Sequence, residues 1–421
     1  MRLLHTSDWH LGHRLYDREQ REEQQLALDW LLKTIEREAI DLLIVAGDIF
    51  DTSNPPNYAR RQYYDFLGRL RTTGCRHVVI VGGNHDSPSM LNATSEVLRY
   101  IDIVVVGAAT EEVLDQIIEL RNADEQIEAI VAAVPFLRDR DIHYNQAGED
   151  EASRTKRLRQ SIREHYQKLG KEVEKYRTRN IPILTTGHLY AHGAEASEKR
   201  SKIYIGNRSN IAADDFPAIF DYVALGHIHR AQIVGGNKKV RYSGSLMPLD
   251  FSEVADDKIV YILDFNVAKS TADDNDAFSI RSIDVPVFRR LKRIHGSLEE
   301  VEESLEKFLA KRELDLVDNT EVLRPWLEIK VESNGPIPLL HDKLKDLIGE
   351  RPADLLSTQL IRSGANRKSE QRVLPKLDEL SVEEVFRRLC LGSEGEEPAG
   401  FPELLNSFRE LENWRQESEE I

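Results

Sequence analysis

Short apolar runs recur through the first two thirds of the chain, and each stops at a glycine or small residue followed by polar side chains. Residues 3–6, 42–46, 77–81, 181–186 and 222–225 follow this pattern, which predicts buried strands with functional groups at their tips. Between them, 22–38 has helical spacing, with Leu26, Trp30 and Ile35 facing a core. Residues 58–70 form a second helix, opened by Pro55-Pro56. A short strand at 101–106 and another at 127–134 continue the alternation. A long helix then places Leu158, Ile162, Tyr166, Leu169, Val173 and Tyr176 on one side. Strands around Tyr222, Val240 and 259–265 close a first domain, and alternation of this kind predicts a layered α/β fold.

Near Val285-Pro286 the organisation changes to a compact β-α-β-α-β unit, with strands at 289–295, 326–331 and 355–361 and helices at 298–309 and 339–347. None of its strands ends in a ligand-bearing tip. After Arg362 a polar run leads to two predicted helices. Ser381 and Glu384 form a capping box, and Leu380 staples onto Val385. Val382, Phe386 and Leu389 make one apolar stripe, and Leu404, Phe408 and Leu411 make the other. A pair this short needs a surface to pack on. The predicted domains are 1–285, 286–365 and 366–421.

Composition narrows the class. The 421 residues are 40% hydrophobic and 31% charged, as in globular proteins, with no run near a membrane span and no expected signal peptide. A cytoplasmic address is the expectation. Two cysteines, Cys75 and Cys390, exclude a disulfide framework and a cysteine-rich zinc site. The net charge of -16 argues against a broadly basic nucleic-acid surface, but metal ions in a cleft reverse the local potential.

The chemistry sits at the strand tips. Asp8 and His10 lie two apart after one strand, Asp48 follows the next, and Gly82-Gly83-Asn84-His85-Asp86 follows the third. Gly187-His188 and Gly226-His227-Ile228-His229 end two more. In open α/β sheets such tips meet in one crevice. With Asp48 as bridge, Asp8, His10, Asp48 and His229 serve one metal ion, and Asp48, Asn84, His188 and His227 serve a second. Mixed imidazole, carboxylate and amide donors suit Mn²⁺, with Mg²⁺ a possible substitute. The two dications leave net positive charge for a phosphate diester to balance. His85 is the candidate proton donor to the leaving oxygen, and Asp86 the candidate to orient an imidazole. Asp51 reads equally as a cap, and the remaining histidines, including His5 and His13, as structural. Tyr63, Tyr64 and Phe66 crowd more than one face of helix 58–70, which with residues 89–100 suggests a homodimer surface.

The motifs Asp-x-His, Gly-Asp, Gly-Asn-His-Asp, Gly-His and Gly-His-x-His resemble those of the calcineurin-like metallophosphoesterases, whose fold is a layered β-sandwich flanked by helices. Longer stretches, among them 5–12, 47–52, 135–138, 224–232 and 380–386, resemble the nuclease-subunit family of the bacterial SbcC–SbcD complexes. That resemblance implies an ATP-regulated, Mn²⁺-dependent 3′–5′ exonuclease on duplex DNA ends and an endonuclease on hairpins and single strands, serving DNA repair, recombination and replication. It further implies a small α/β capping domain, a C-terminal helix pair gripping the SbcC ATPase, and a homodimer within a heterotetramer. A phosphomonoesterase or protein phosphatase would use the same ligands without needing the second domain or the tail. A non-catalytic scaffold would be expected to lose ligands, and none is missing.

Overall fold

The computed structural model describes residues 1–138, 141, 150–179, 181–192, 194, 211–265, 278–315, 323–333, 335, 337–362, 401, 405, 407 and 408. The chain forms two compact units, Met1–Ile361 and Arg362–Ile421. In the second, Phe401 and Leu405 are buried and lie on helical backbone with Ser407 and Phe408. The predicted tail helix with Val382, Phe386 and Leu389 lies outside the described residues, as do Leu404 and Leu411.

The first unit is built on two six-stranded sheets. One runs Ser279–Asp284, Ile259–Asp264, Arg2–Thr6, Leu42–Ala46, His77–Val81, Ile103–Val106. The other runs Gln232–Val234, Asn237–Tyr242, Tyr222–Gly226, Ile183–His188, Ile127–Ala132, Ile117–Arg121. Their central strands are parallel and buried on both faces, so they read as unbroken apolar runs. Successive side chains alternate between two cores. Leu3, Leu42, Ile44, Val79 and Val81 meet Ala129, Val131, Leu184, Tyr222 and Ala224 between the sheets. Leu4, Leu43, Val45, Val78 and Ile80 pack instead under the helices Arg21–Arg37 and Asn57–Leu70. Beyond the second sheet, Ile162, Tyr166, Leu169 and Val173 of Glu151–Val173 cover Ile130, Ile183, Val223 and Leu225. The result is a helix-flanked β-sandwich, as expected.

From Arg289 a three-stranded sheet, Arg289–Gly296, Leu323–Ser333 and Asp354–Arg362, carries the helices Leu298–Asp315 and Leu340–Ile348. Val301, Leu305, Leu309, Leu344 and Ile348 bury Ile294, Leu327, Ile329 and Val331. This small layer is tied to the sandwich. Leu15, Phe251, Leu291 and Trp326 share a cluster. Arg289 pairs with Glu22 and Glu23 while its guanidinium lies 4.3 Å over Trp326.

Some expectations change. Residues 89–100, whose sequence suggests one helix beside 58–70, form two short helices instead, Pro88–Asn92 and Ser95–Arg99. The edge strands Ile117–Arg121 and Ser279–Asp284 were not predicted, because half-exposed strands carry too few apolar residues to stand out. Tyr63 and Phe66 are consumed by the chain's own core, leaving Tyr64, Val97 and Tyr100 as the exposed apolar residues of this face. Among the described residues no helix is long and apolar enough to cross a membrane.

Two buried histidines give a pH signature away from the strand tips. His5 is within 2.9 Å of the Tyr222 hydroxyl, and burial pushes its pKa down to about 3. His165 lies 3.0 Å from the Gln116 amide oxygen and is pushed by burial to about 4. Below about pH 6.5 the unfolded chain takes up protons that these folded imidazoles refuse, so stability is lost as pH falls towards 4. Urea midpoints should therefore drop between pH 7 and pH 4.5, and the drop should be smaller in His165→Leu. Parallel curves for the two proteins would reject the assignment.

Candidate metal centre

The parallel register of Arg2–Thr6, Leu42–Ala46 and His77–Val81 sets three loops side by side, and the register Gly226 to His188 does the same across the sandwich. Asp8 N–H donates to Gly47 O at 3.0 Å, His10 N–H to Asp48 O at 3.0 Å and Leu11 N–H to Ile49 O at 2.9 Å, so the first two loops run as one. The two sheets touch at Gly226, where a Cβ would collide with the Ala46 carbonyl oxygen and stand 2.9 Å from His188 Nδ1. Asp8, His10, Asp48 and His227 all have positive φ, at 52°, 45°, 49° and 102°. Left-handed backbone at non-glycine residues is strained, on the order of 1–3 kcal/mol each, and here it coincides with the predicted ligands.

The predicted metal ligands come together in two sets, and a third group joins His10 to Asp51 and His85. Ligand atoms of Asp8, His10 and His229 lie within 4.8 Å of one another, as do those of Asp48, His188 and His227. His10 Nε2 and His229 Nε2 are 3.1 Å apart. Their Nδ1 atoms face the carboxylates of Asp51 and Glu253, each at 3.1 Å, and a carboxylate can only accept. Both Nδ1 atoms therefore carry a proton, and in neutral rings the two Nε2 lone pairs point at each other. His188 repeats the logic: Nδ1 donates to the Ala46 carbonyl at 2.9 Å, and Nε2 faces Asp48 Oδ2 at 3.2 Å and Asn84 Oδ1 at 3.1 Å. Asn84 Oδ1 is also 2.9 Å from His227 Nδ1. Asp48 Oδ2 lies 3.5 Å from His10 Nε2, so one oxygen faces both sets, while Oδ1 accepts the His85 N–H at 2.9 Å. A converging shell of acceptors is what cations satisfy, and the donor chemistry fits two divalent ions.

Electrostatics within the cluster reflect that crowding. Burial alone would neutralise Asp48, but His188 and His10 beside it hold it ionised. Burial disfavours a charged His188, yet Asp48 outweighs this and raises its pKa to about 9. Asp8 is raised by burial despite His188 nearby.

The neighbours of Asn84 divide. His85 is exposed, and its Nδ1 donates to the Asp51 carbonyl at 2.7 Å. Asp86 does not orient an imidazole. It is 2% exposed, and its carboxylate accepts the backbone N–H groups of Ile49, Phe50 and Gly83 at 3.1, 2.9 and 2.8 Å, locking the Asp48 loop to the glycine turn. Burial, with the charge of Asp48, raises its pKa to about 6. Asp51 bridges His10 and His13, with His13 Nδ1 at 2.8 Å, and His13 Nε2 donates to the Leu249 carbonyl at 2.9 Å. Sequence reasoning missed Glu253, Ser7, whose hydroxyl donates to Asp8 Oδ2 at 2.5 Å, and Phe136, which lies beside His188 and His227.

Gly226→Ala forces a Cβ into backbone and the His188 ring together. Overpacking typically costs about 1–3 kcal/mol. The variant should melt several degrees lower and bind fewer divalent ions per chain by metal analysis. Retention of full metal content would show that the two sheets do not need this close approach.

Comparison with known proteins agrees with this geometry. A profile for the calcineurin-like phosphoesterases matches residues 1–231, and one described as the type 5 capsule protein repressor C-terminal domain matches 287–391. The chain is 37% identical to the SbcD component of the SbcCD nuclease of Escherichia coli K12, over 93% of each chain. It is 34% identical to the protein of that name from Bacillus subtilis, over 63% of this chain and 66% of that one. The Rhodobacter capsulatus protein of that name is 35% identical, again over 63% of this chain and 66% of that one.

Proposed function

The chain belongs to the calcineurin-like phosphoesterases and, within them, to the SbcD family, and from that premise we propose that it is a two-metal nuclease acting on DNA. The observation that carries this reading is the single oxygen Asp48 Oδ2 facing both His10 Nε2 and His188 Nε2. Asp8, His10, Asp48 and His229 would hold one divalent cation, and Asp48, Asn84, His188 and His227 the other. Mn²⁺ suits this imidazole-rich set, and Mg²⁺ can substitute. Two such ions, when bound, would lower the pKa of a water and neutralise phosphate charge.

The chain's own side chains do the rest. His85 is anchored through Nδ1 on the Asp51 carbonyl, which leaves Nε2 on an exposed ring to exchange a proton with the leaving oxygen. Asp86 keeps the turn that carries His85 in place through its three amide contacts. Similarity to the Escherichia coli nuclease component, 37% identical over 93% of each chain, supports the nuclease reading, and the motif resemblance extends it to a 3′–5′ exonuclease on duplex ends and an endonuclease on hairpins, gated by ATP on an SbcC partner. Residues 286–365 serve as a cap and 366–421 as the SbcC-binding tail. The exposed Tyr64, Val97 and Tyr100 favour a homodimer. A cytoplasmic setting follows from a chromosomal substrate.

Mn²⁺-dependent digestion of end-labelled duplex tests the proposal. Turnover of nitrophenyl phosphate with an intact duplex would establish a phosphomonoesterase instead. In His85→Ala the rate should fall about 10²–10⁴-fold while both metals and DNA binding are retained. Loss of metal would show His85 to be a ligand. Truncation after Ala365 should keep Mn²⁺-dependent cleavage and abolish co-purification with SbcC. Full-strength binding by the truncated chain would place the docking surface elsewhere.

A further inference from the structure

We propose that Glu253, braced by Lys258, is a positioning residue that sets the tautomer and direction of His229 for metal binding; this rests on the metal reading above. Glu253 is 1% exposed and divides its carboxylate. Oε1 faces His229 Nδ1 at 3.1 Å, and Oε2 accepts from Lys258 Nζ at 3.0 Å and from the Leu249 N–H at 3.1 Å. Lys258 Nζ also donates to the His229 carbonyl at 3.0 Å and to Ser245 Oγ at 2.9 Å. The contacts close a ring that runs from the His229 ring through Glu253 and Lys258 back to the His229 backbone. His229 is thereby held at both ends.

A buried Glu–Lys pair on its own adds little to stability, since taking two charges out of water offsets their attraction. What this pair does for its neighbour is specific. A carboxylate on Nδ1 fixes the proton there, aims Nε2 at the His10 side of the cluster, and makes Nε2 a better donor to a cation. Lys258 Nζ holds the other oxygen of that carboxylate in place. The carboxylate is itself held by a rigid support. The turn Phe251–Glu253 is capped by Asp250, which accepts the Ser252 N–H at 2.8 Å, and Phe251 is buried with Leu15, Leu291 and Trp326.

The test is Mn²⁺ titration calorimetry on the full chain, with melting in EDTA as the control for folding. The double substitution Glu253→Ala and Lys258→Met removes the carboxylate without stranding a buried ammonium. One of the two Mn²⁺ sites should weaken about 10–100-fold while the other keeps its affinity and the EDTA melting point stays near that of the parent. Glu253→Gln keeps volume and an acceptor for Nδ1, and should weaken the same site by a smaller factor. Two sites of unchanged affinity would overturn the proposal, and so would equal weakening of both sites with an early EDTA melt in both variants, which marks a purely structural pair. A parent chain that binds no Mn²⁺ would instead sink the metal reading itself.

Discussion

Everything around the strand tips depends on one constraint: imidazole nitrogens and carboxylate and amide oxygens are buried facing one another, so they must share protons or a cation. His10 and His229 present Nε2 atoms 3.1 Å apart, and His188 Nε2 meets Asp48 and Asn84 oxygens at 3.2 and 3.1 Å. Facing lone pairs in a low-dielectric interior repel, and burial of an unsatisfied polar group costs about 1–3 kcal/mol. The fold tolerates this because each imidazole is fixed from behind by Asp51, Glu253 or the Ala46 carbonyl. Cations are the natural resolution, so the sandwich acts as a frame holding a ligand shell in readiness.

The frame itself is strained where it matters. Positive φ at Asp8, His10, Asp48 and His227 persists because the loops are locked by backbone hydrogen bonds to each other and by the three amides on Asp86. Gly47, at φ +90°, has a position where a Cβ would collide with the His188 ring, and Gly83 one where it would collide with Asp48. Glycines at strand tips are thus requirements of close approach between loop, ligand and opposite sheet, beyond the freedom of a turn.

That difference explains what could be read from the sequence. The parallel strands are buried on both faces and the ligands follow them directly, so the residues 42–48, 77–84 and 222–229 announce both fold and site. Ile228 turns into the core between two site histidines although the strand ends at Gly226 and His227 bends away at φ 102°. Asp86 was misread because its type suits an imidazole partner, and nothing local says that three amides from two loops will reach it first. Glu253 and Lys258 sit in the irregular stretch between the strands Asn237–Tyr242 and Ile259–Asp264, away from any strand tip, so only the tertiary fold reveals their target. The edge strands Ile117–Arg121 and Ser279–Asp284 escaped for the opposite reason, being too exposed to carry a continuous apolar signal.

Contacts of the same kind join the three-stranded sheet 289–362 to the strand-tip cluster. Leu15 and Tyr16 follow His13 by two and three residues, and His13 shares Asp51 with His10. Leu15 packs with Leu291 and Trp326 of that sheet, and the Tyr16 hydroxyl donates to Glu328 at 2.5 Å, a carboxylate also held by Arg293. From the other side Phe251 enters that cluster while Glu253, two residues on, holds His229. Both imidazoles of one candidate metal set are therefore one side chain removed from elements packed on the three-stranded sheet 289–362. Close packing of this kind leaves little slack between that sheet and the groups that fix His10 and His229.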